Sequence, residues 1–388
     1  MPLWRALLFF AVVLSLAFGL HYFLWARLVR DTAIPAPWGR LLTVALAVLG
    51  GSLPASFLLM RGPRALSGPF SWVAFTWMGF MFLLFASLVP AEIVRRLAWA
   101  VTPPDPARRE LLARTLGGLV AASAFVAGGV GVSNALRQVR EKRVRVTLPK
   151  LDRSLDGYRI VQLTDVHVGP TIGRDFIEEL VRRVNALAPD LVAITGDLVD
   201  GSVAELAQHV APLRELRAKD GVFFVTGNHE YYSGVDEWIA HLRDIGVRVL
   251  RNERVRVRPD AAGGGFDLAG VDDAHAHQFG GDHGMDVARA LGGRERDRAC
   301  VLLAHQPKAI GAAAEHGACL QISGHTHAGQ IFPFTYLVKL DQPYVRGLHR
   351  HEGGSTQIYV SEGTGYWGPP MRLGTYAEIT VLELAASA

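Results

Sequence analysis

Five short apolar runs in the later two thirds of this chain each break off into a cluster of aspartate, asparagine or histidine. Tyr158–Leu163 leads into Asp165-Val166-His167, Leu191–Ile194 into Gly196-Asp197, and Val222–Val225 into Thr226-Gly227-Asn228-His229-Glu230. Val301–Ala304 leads into His305, and Leu320–Ser323 into Gly324-His325-Thr326-His327. Apolar runs of this length with glycine at the exit read as short buried strands. Carboxylate, amide and imidazole groups are costly to bury without polar partners, so these exits are not built as core. On an extended chain the i, i+2 spacing points Asp165 and His167 to one side, and likewise His325 and His327. Open α/β sheets gather strand ends of this kind along one edge, where ligands bind.

The rest of this region alternates in the same way. Strands are expected at 158–163, 190–194, 222–226, 247–250, 266–270, 300–304, 319–323, 356–360 and 377–383, and helices at 174–187, 203–218, 235–245 and 307–316. That order favours an α/β fold over residues 151–388. Gly263–Gly265 and the His/Gly-rich stretch 274–284, with His275, His277 and His283, read as solvated loops. Cys300 and Cys319 lack metal or redox spacing and read as small buried hydrophobes.

The first third is different. Apolar runs at about 6–26, 41–60, 70–91 and 115–132 are each near the roughly 20 residues that cross a bilayer, the fourth being weaker and rich in Gly and Ala. Residues 1–135 are therefore expected to be an all-α membrane region of about four transmembrane helices, joined to the α/β domain by a charged linker at 136–150. His21, inside the first run, is expected to face a neighbouring helix. Flanking Lys and Arg residues tie between the two membrane faces, so the positive-inside rule does not orient the chain. Arg108-Arg109 before the fourth run resembles an internal twin-arginine export signal, which would place the α/β domain outside the cytoplasm. The formal charge of +4, with no basic stripe interleaved with aromatics, argues against nucleic acid as a partner.

The candidate ligands mix oxygen and nitrogen donors without thiolate, a set suited to Mn, Fe, Zn or Ni. Their number exceeds one tetrahedral ion and fits two. In this order, Asp165-x-His167, Gly196-Asp197, Gly227-Asn228-His229-Glu230, His305 and Gly324-His325-Thr326-His327 resemble the signature of calcineurin-like metallophosphoesterases over roughly residues 150–384. Gly270-Val271-Asp272-Asp273, the extension through Ala328-Gly329-Gln330, and Ser361–Gly365 followed by Pro369-Pro370-Met371-Arg372 resemble the membrane-associated bacterial YkuE/YaeI branch, in which glycine usually stands where Ala328 is.

The resemblance implies a four-layer αββα sandwich with a dinuclear site at one edge. It implies Asp165, His167 and His327 on a first divalent metal ion, Asn228, His305 and His325 on a second, Asp197 bridging them, and His229 contacting phosphate and protonating the leaving oxygen. The expected function is a membrane-anchored phosphohydrolase that cleaves a phosphodiester or pyrophosphate by metal-activated water attack. Its expected partners are the lipid bilayer of a bacterial cell and a phosphorylated, lipid-linked or envelope substrate. Two alternatives stand beside it: a UDP-diacylglucosamine-type pyrophosphatase at the cytoplasmic face, and a catalytically silent metal-bound scaffold or sensor.

Overall fold

A computed structural model describes residues 3–59, 64–101 and 104–387. Met60 and Arg61, at the end of the second apolar run, lie outside the described residues. The chain divides into two compact units: residues 1–136 with 368–373, and residues 137–367 with 374–388.

The first unit holds α1 (Leu3–Trp25), α2 (Trp38–Leu59), α3 (Arg64–Val101) and α4 (Pro106–Leu136). Among the described residues these four helices are long and apolar enough to cross a membrane. α3 and α4 extend beyond the apolar runs that announced them, because helix continues into their charged ends. The Gly/Ala richness of α4 has a packing role. Its buried face is Gly117, Val120, Ala124, Gly128, Gly131 and Ala135, and such small residues let neighbouring backbones approach closely. An added Cβ at Gly128 would lie 2.2 Å from the Phe80 ring. His21 faces a neighbour, as expected: the Trp77 indole donates to its Nε2 at 2.9 Å. Glu92, buried near one end of α3, accepts from Arg27 at 3.0 Å, Arg95 at 2.7 Å and Arg96 at 2.6 Å, which offsets the cost of a carboxylate at that depth. The Pro369–Arg372 motif belongs to this unit. Met371 and Arg372 are buried, the Arg372 amide donates to Gly131 O at 2.8 Å, and the Asn134 side chain donates to Arg372 O at 3.2 Å.

The second unit is built on two six-stranded mixed sheets. Its strands are β1 (Arg140–Leu148), β2 (Tyr158–Leu163), β3 (Leu191–Thr195), β4 (Val222–Val225), β5 (Arg248–Val249), β6 (Glu253–Val257), β7 (Phe266–Gly270), β8 (Cys300–Leu303), β9 (Leu320–Ser323), β10 (Gly347–Arg350), β11 (Gln357–Val360) and β12 (Glu378–Ala386). One sheet runs β1-β12-β2-β3-β4-β5 and the other β10-β11-β9-β8-β7-β6. Its helices are α5 (Arg174–Ala186), α6 (Val203–Val210), α7 (Asn228–Ser233), α8 (Val235–Asp244), α9 (Val287–Leu291), α10 (Ile310–Glu315) and α11 (Thr335–Asp341).

Strand periodicity sorts the side chains into three cores. Tyr158, Ile160, Leu191 and Ala193 of the first sheet meet Phe266, Leu268, Val301 and Ile322 of the second in a shared central core. The alternate residues Val161, Leu163, Val192 and Ile194 pack under α5, α6 and α8, where Ile177, Leu180, Leu206 and Trp238 are buried. Ala269, Cys300 and Leu302 pack under α9 and α10. The layers are therefore α, β, β, α, the four-layer sandwich expected from sequence.

The stretch read as a charged linker, 136–150, instead contributes β1, paired in parallel with β12. Its Arg143-Val144-Arg145-Val146-Thr147-Leu148 alternation is the reason: Val146 and Leu148 enter the central core while Arg143, Arg145 and Thr147 stay exposed. The expected helix 203–218 stops as α at Val210 and tightens into a 3₁₀ turn over Ala211–Glu215, where Pro212 removes a donor. Both cysteines are buried and free, as expected.

Candidate metal centre

β2, β3 and β4 run parallel, and so do β7, β8 and β9, so the exits of the five signature strands converge. The exits are tied to one another through the backbone. The Asp165 amide donates to Gly196 O and the His167 amide to Asp197 O, both at 3.1 Å, and the Gly324 amide donates to His305 O at 2.9 Å. Glu230 knits two of the loops together. Its carboxylate accepts from the backbone amides of Asp197 at 3.0 Å, Leu198 at 2.7 Å and Gly227 at 2.7 Å. Gly227 is required by close approach, since a Cβ there would sit 2.2 Å from Asp197 Oδ1.

Within these loops the backbone is strained at the functional positions. Asp165 (φ 53°), His167 (56°), Asp197 (52°), His325 (71°) and His327 (47°) all lie in the left-handed region. Non-glycine residues there cost roughly 1–3 kcal/mol each and cluster at functional sites. The Ser361–Gly365 motif supports them: the amides of Thr364 and Gly365 donate to the carbonyls of Thr164 at 2.8 Å and Asp165 at 2.9 Å.

The side chains converge in three overlapping groups whose ligand atoms lie within 4.8 Å of one another: Asp165, His167 and His327; His167, Asp197 and His229; and Asp197, His305 and His325. His167 Nε2 is 3.1 Å from His327 Nε2, and His327 Nε2 is 3.3 Å from Asp165 Oδ1. His305 Nε2 is 3.0 Å from Asp197 Oδ2 and 3.2 Å from His325 Nδ1. Asn228 follows at the first turn of α7, and its Oδ1 is buried with no hydrogen-bond partner. Its chain neighbours Gly227 and His229 both approach Asp197, and an orphaned buried amide oxygen together with converging imidazole nitrogens and carboxylates is a donor set that fits divalent metal ions. His305 Nδ1 lies 2.7 Å from Thr195 O; donation to that carbonyl turns Nε2 toward the site, the usual support for a ligating imidazole.

The electrostatics separate the groups by role. Burial raises the Asp165 carboxyl. Burial also opposes ionisation of Asp197, but His305 and His229 outweigh it and hold the carboxyl well below its ordinary range. Burial and then His305 push His325 down to about 3, leaving its imidazole neutral with a lone pair to offer. For His229 burial works against the charged form, yet Asp197 and Asp200 raise it to about 9. Glu230 is pushed up to about 7 by burial and by Asp197, against the pull of its backbone donors.

Asp200 escaped the sequence reading. Its Oδ1 lies 3.1 Å from His167 Nδ1 and 2.6 Å from His229 Nδ1. The register that puts it there comes from a bridge between Val168 and Val199, with the Asp200 amide donating to Val168 O at 2.8 Å. The one available signal was a second aspartate three residues after Asp197 and just before Gly201. Gln330 and Trp367 form a second unforeseen pair. The Gln330 amide donates to Trp367 O at 3.0 Å and accepts from its N–H at 2.9 Å, and the Trp367 ring stacks edge-on to His229 at 5.4 Å. The histidines expected in a solvated loop divide: His275 approaches Gln306 and Lys308 at 3.2 and 3.3 Å, while His283 packs against Tyr231 and Arg251.

Residues 158–329 match the family model described as calcineurin-like phosphoesterase. A bovine protein named transmembrane protein with metallophosphoesterase domain is 42% identical, with 82% of this chain and 74% of that one aligned. Its zebrafish counterpart is 36% identical over 93% of this chain and 85% of that one, and the Bacillus subtilis metallophosphoesterase YkuE is 31% identical over 72% and 98%. This chain belongs to the calcineurin-like phosphoesterase family. It is accordingly a metal-dependent phosphoesterase with a membrane-associated helical region.

Proposed function

We propose that the chain is a membrane-anchored hydrolase of phosphodiester or pyrophosphate bonds whose substrate is a lipid-linked or envelope phosphate. The observation that carries this reading is the set of overlapping Asp/His ligand groups that meet at His167 and Asp197, together with the buried, unpaired Asn228 oxygen. On this reading Asp165, His167 and His327 hold one divalent cation, Asn228, His305 and His325 hold a second, and Asp197 serves both. Cations there supply Lewis-acid activation of water and compensation of phosphoryl charge. His229, gripped at Nδ1 by Asp200, directs Nε2 inward, 3.9 Å from Asp197 Oδ2, and holds a proton for the leaving oxygen. Trp367 closes one side of that imidazole.

The helical region supports an extracytoplasmic catalytic unit. Arg27, Arg30, Arg40, Arg95, Arg96, Arg108, Arg109 and Arg114 flank the turns after α1 and α3. In sequence, Arg5, Arg61, Arg64 and Arg137 flank the other ends of the apolar runs, since Arg140, Lys142, Arg143 and Arg145 belong to β1 of the folded unit. Positive charge in short loops favours the cytoplasm, and long domains translocate largely regardless of charge.

The test uses the full chain in detergent, loaded with Mn, against a chromogenic diester and monoester. The expected result is a diester preference, with activity abolished in Asp197→Ala and reduced about 10²–10⁴-fold in His229→Gln. A metal-loaded, folded chain inert toward diester, monoester and pyrophosphate would return the reading to a scaffold. A reporter fused after Ala388 that is active only in the cytoplasm would overturn the topology.

A further inference from the structure

Beside the ligand groups, a chain of buried side chains fixes the polarity of two half-buried ones, Lys308 and His275. The Lys308 amide donates to Gln342 Oε1 at 3.2 Å, so Gln342 Nε2 is the atom that faces Gln306 Oε1, at 3.3 Å. Gln306 is thereby turned with Nε2 toward the Asp273 carboxylate, to which it donates at 3.0 Å on either oxygen, and toward His275 Nδ1 at 3.2 Å. Gln342, Gln306 and Asp273 are all buried. An amide nitrogen donates and does not accept, so Nδ1 of His275 accepts and the ring proton stands on Nε2. That Nε2–H faces Lys308 Nζ at 3.3 Å. An ammonium carries donors and no acceptor, so the two groups confront one another donor to donor. Asp341, an exposed carboxylate 3.8 Å from Lys308 Nζ, accepts from Gln342 Nε2 at the shorter distance of 2.8 Å.

The pair is tied to the residues read as ligands of the second cation. Gln306 directly follows His305, and the Asp273 amide donates to Thr226 Oγ1 at 3.2 Å, on the strand exit that carries Asn228. The His275 amide in turn donates to Asp273 Oδ1 at 2.8 Å. Burial and His305 act most strongly on the His325 imidazole, and the charges of Lys308 and His275 bear on it as well.

We infer that Lys308 Nζ and His275 Nε2 form an anion subsite for a second phosphoryl group of the substrate, the one that is not attacked, so that the substrate class is a diester of diphosphate rather than of a single phosphate. An anionic oxygen bound to both nitrogens gives each donor its acceptor, and hydrogen bonds to a charged oxygen are the strong ones. A single phosphate is already matched by the proposed cations and His229, which leaves Lys308 and His275 for its neighbour. The identity of the scissile group rests on the proposed hydrolysis; the affinity of the pair for a phosphoryl group does not.

The test uses the full chain in detergent, loaded with Mn. The substrates compared are diphenyl diphosphate, with one phenyl group on each phosphate, and bis(para-nitrophenyl) phosphate. Lys308→Met and His275→Ala are each expected to lower kcat/KM for the diphosphate relative to that for the monophosphate diester by about 10–100-fold, the worth of one hydrogen bond to a charged group. Lys308→Arg, which keeps charge and donors, should restore most of that ratio. A fall of equal size on both substrates would assign the pair to support of His305 and overturn the inference. Calorimetric titration with diphenyl methylenediphosphonate, which water does not cleave between its phosphorus atoms, reads the subsite without turnover. Weaker binding by a similar factor in Lys308→Met and His275→Ala is expected, and binding equal to wild type in both would overturn the subsite. Weaker binding in the variants of a chain that cleaves neither ester would retain the subsite and retire the proposed hydrolysis.

Discussion

Asp200 Oδ1 lies 2.6 Å from Nδ1 of His229 and 3.1 Å from Nδ1 of His167. One carboxylate oxygen thus orients both the expected proton donor and an expected metal ligand. Both contacts are made at Nδ1, whereas Nε2 of each imidazole faces the ligand cluster, so Asp200 acts through the imidazoles as a positioning residue. Supports of this kind are worth about 10–100-fold in activity or metal affinity. Asp200→Asn is expected to lower kcat by that amount with a smaller change in KM. Removing the anion also weakens the stabilisation of imidazolium, so the basic limb of the pH–rate profile should move to lower pH. An unchanged limb would separate Asp200 from His229.

The metal-free protein should show the same pairing as a pH-dependent stability. His229 is raised to about 9 when folded and returns to about 6.5 when unfolded. Its contribution is therefore fully present below pH 6.5 and lost as pH rises through 9, at most about 3 kcal/mol. Thermal melts of chelator-treated full chain at pH 6.5 and 9.5 should show a larger fall in wild type than in His229→Gln. Equal falls would place the pH dependence elsewhere.

Ala328 stands in the left-handed region at φ 55° and is fully buried. Glycine adopts that conformation without the Cβ penalty. Ala328→Gly is expected to stabilise the chain by about 1 kcal/mol, read as a rise in Tm of a few degrees. A fall in Tm would mean that the methyl's packing outweighs the backbone strain.

Gly128 faces the Phe80 ring with no space for a side chain. Gly128→Leu should force α3 and α4 apart at a cost of about 1–3 kcal/mol, whereas Gly129→Leu, whose Cβ would meet nothing within 4 Å, should be tolerated. Comparing detergent-solubilised yield and Tm of the two variants checks the assignment of the small-residue face.

Much of the molecule was legible because local chemistry carried it. Five strand exits bearing Asp, Asn and His in one order predict a sheet edge with a polar site, since side-chain direction on a strand follows from its two-residue period. Four apolar runs predict membrane helices from length alone. Where a residue's role depends on its neighbours in space, the sequence was silent or misleading. Arg140–Leu148 reads as a charged tether until β12 supplies its hydrogen bonds and the core takes Val146 and Leu148. Asp200 goes unread until the Val168–Val199 bridge brings it under two imidazoles. Pro369–Arg372 reads as part of the phosphoesterase motif set and packs with the helices. Ligand types and their order are written along the chain because each cluster is local. Their pairing and their supports are set by contacts between segments far apart in sequence, and only folding makes those contacts.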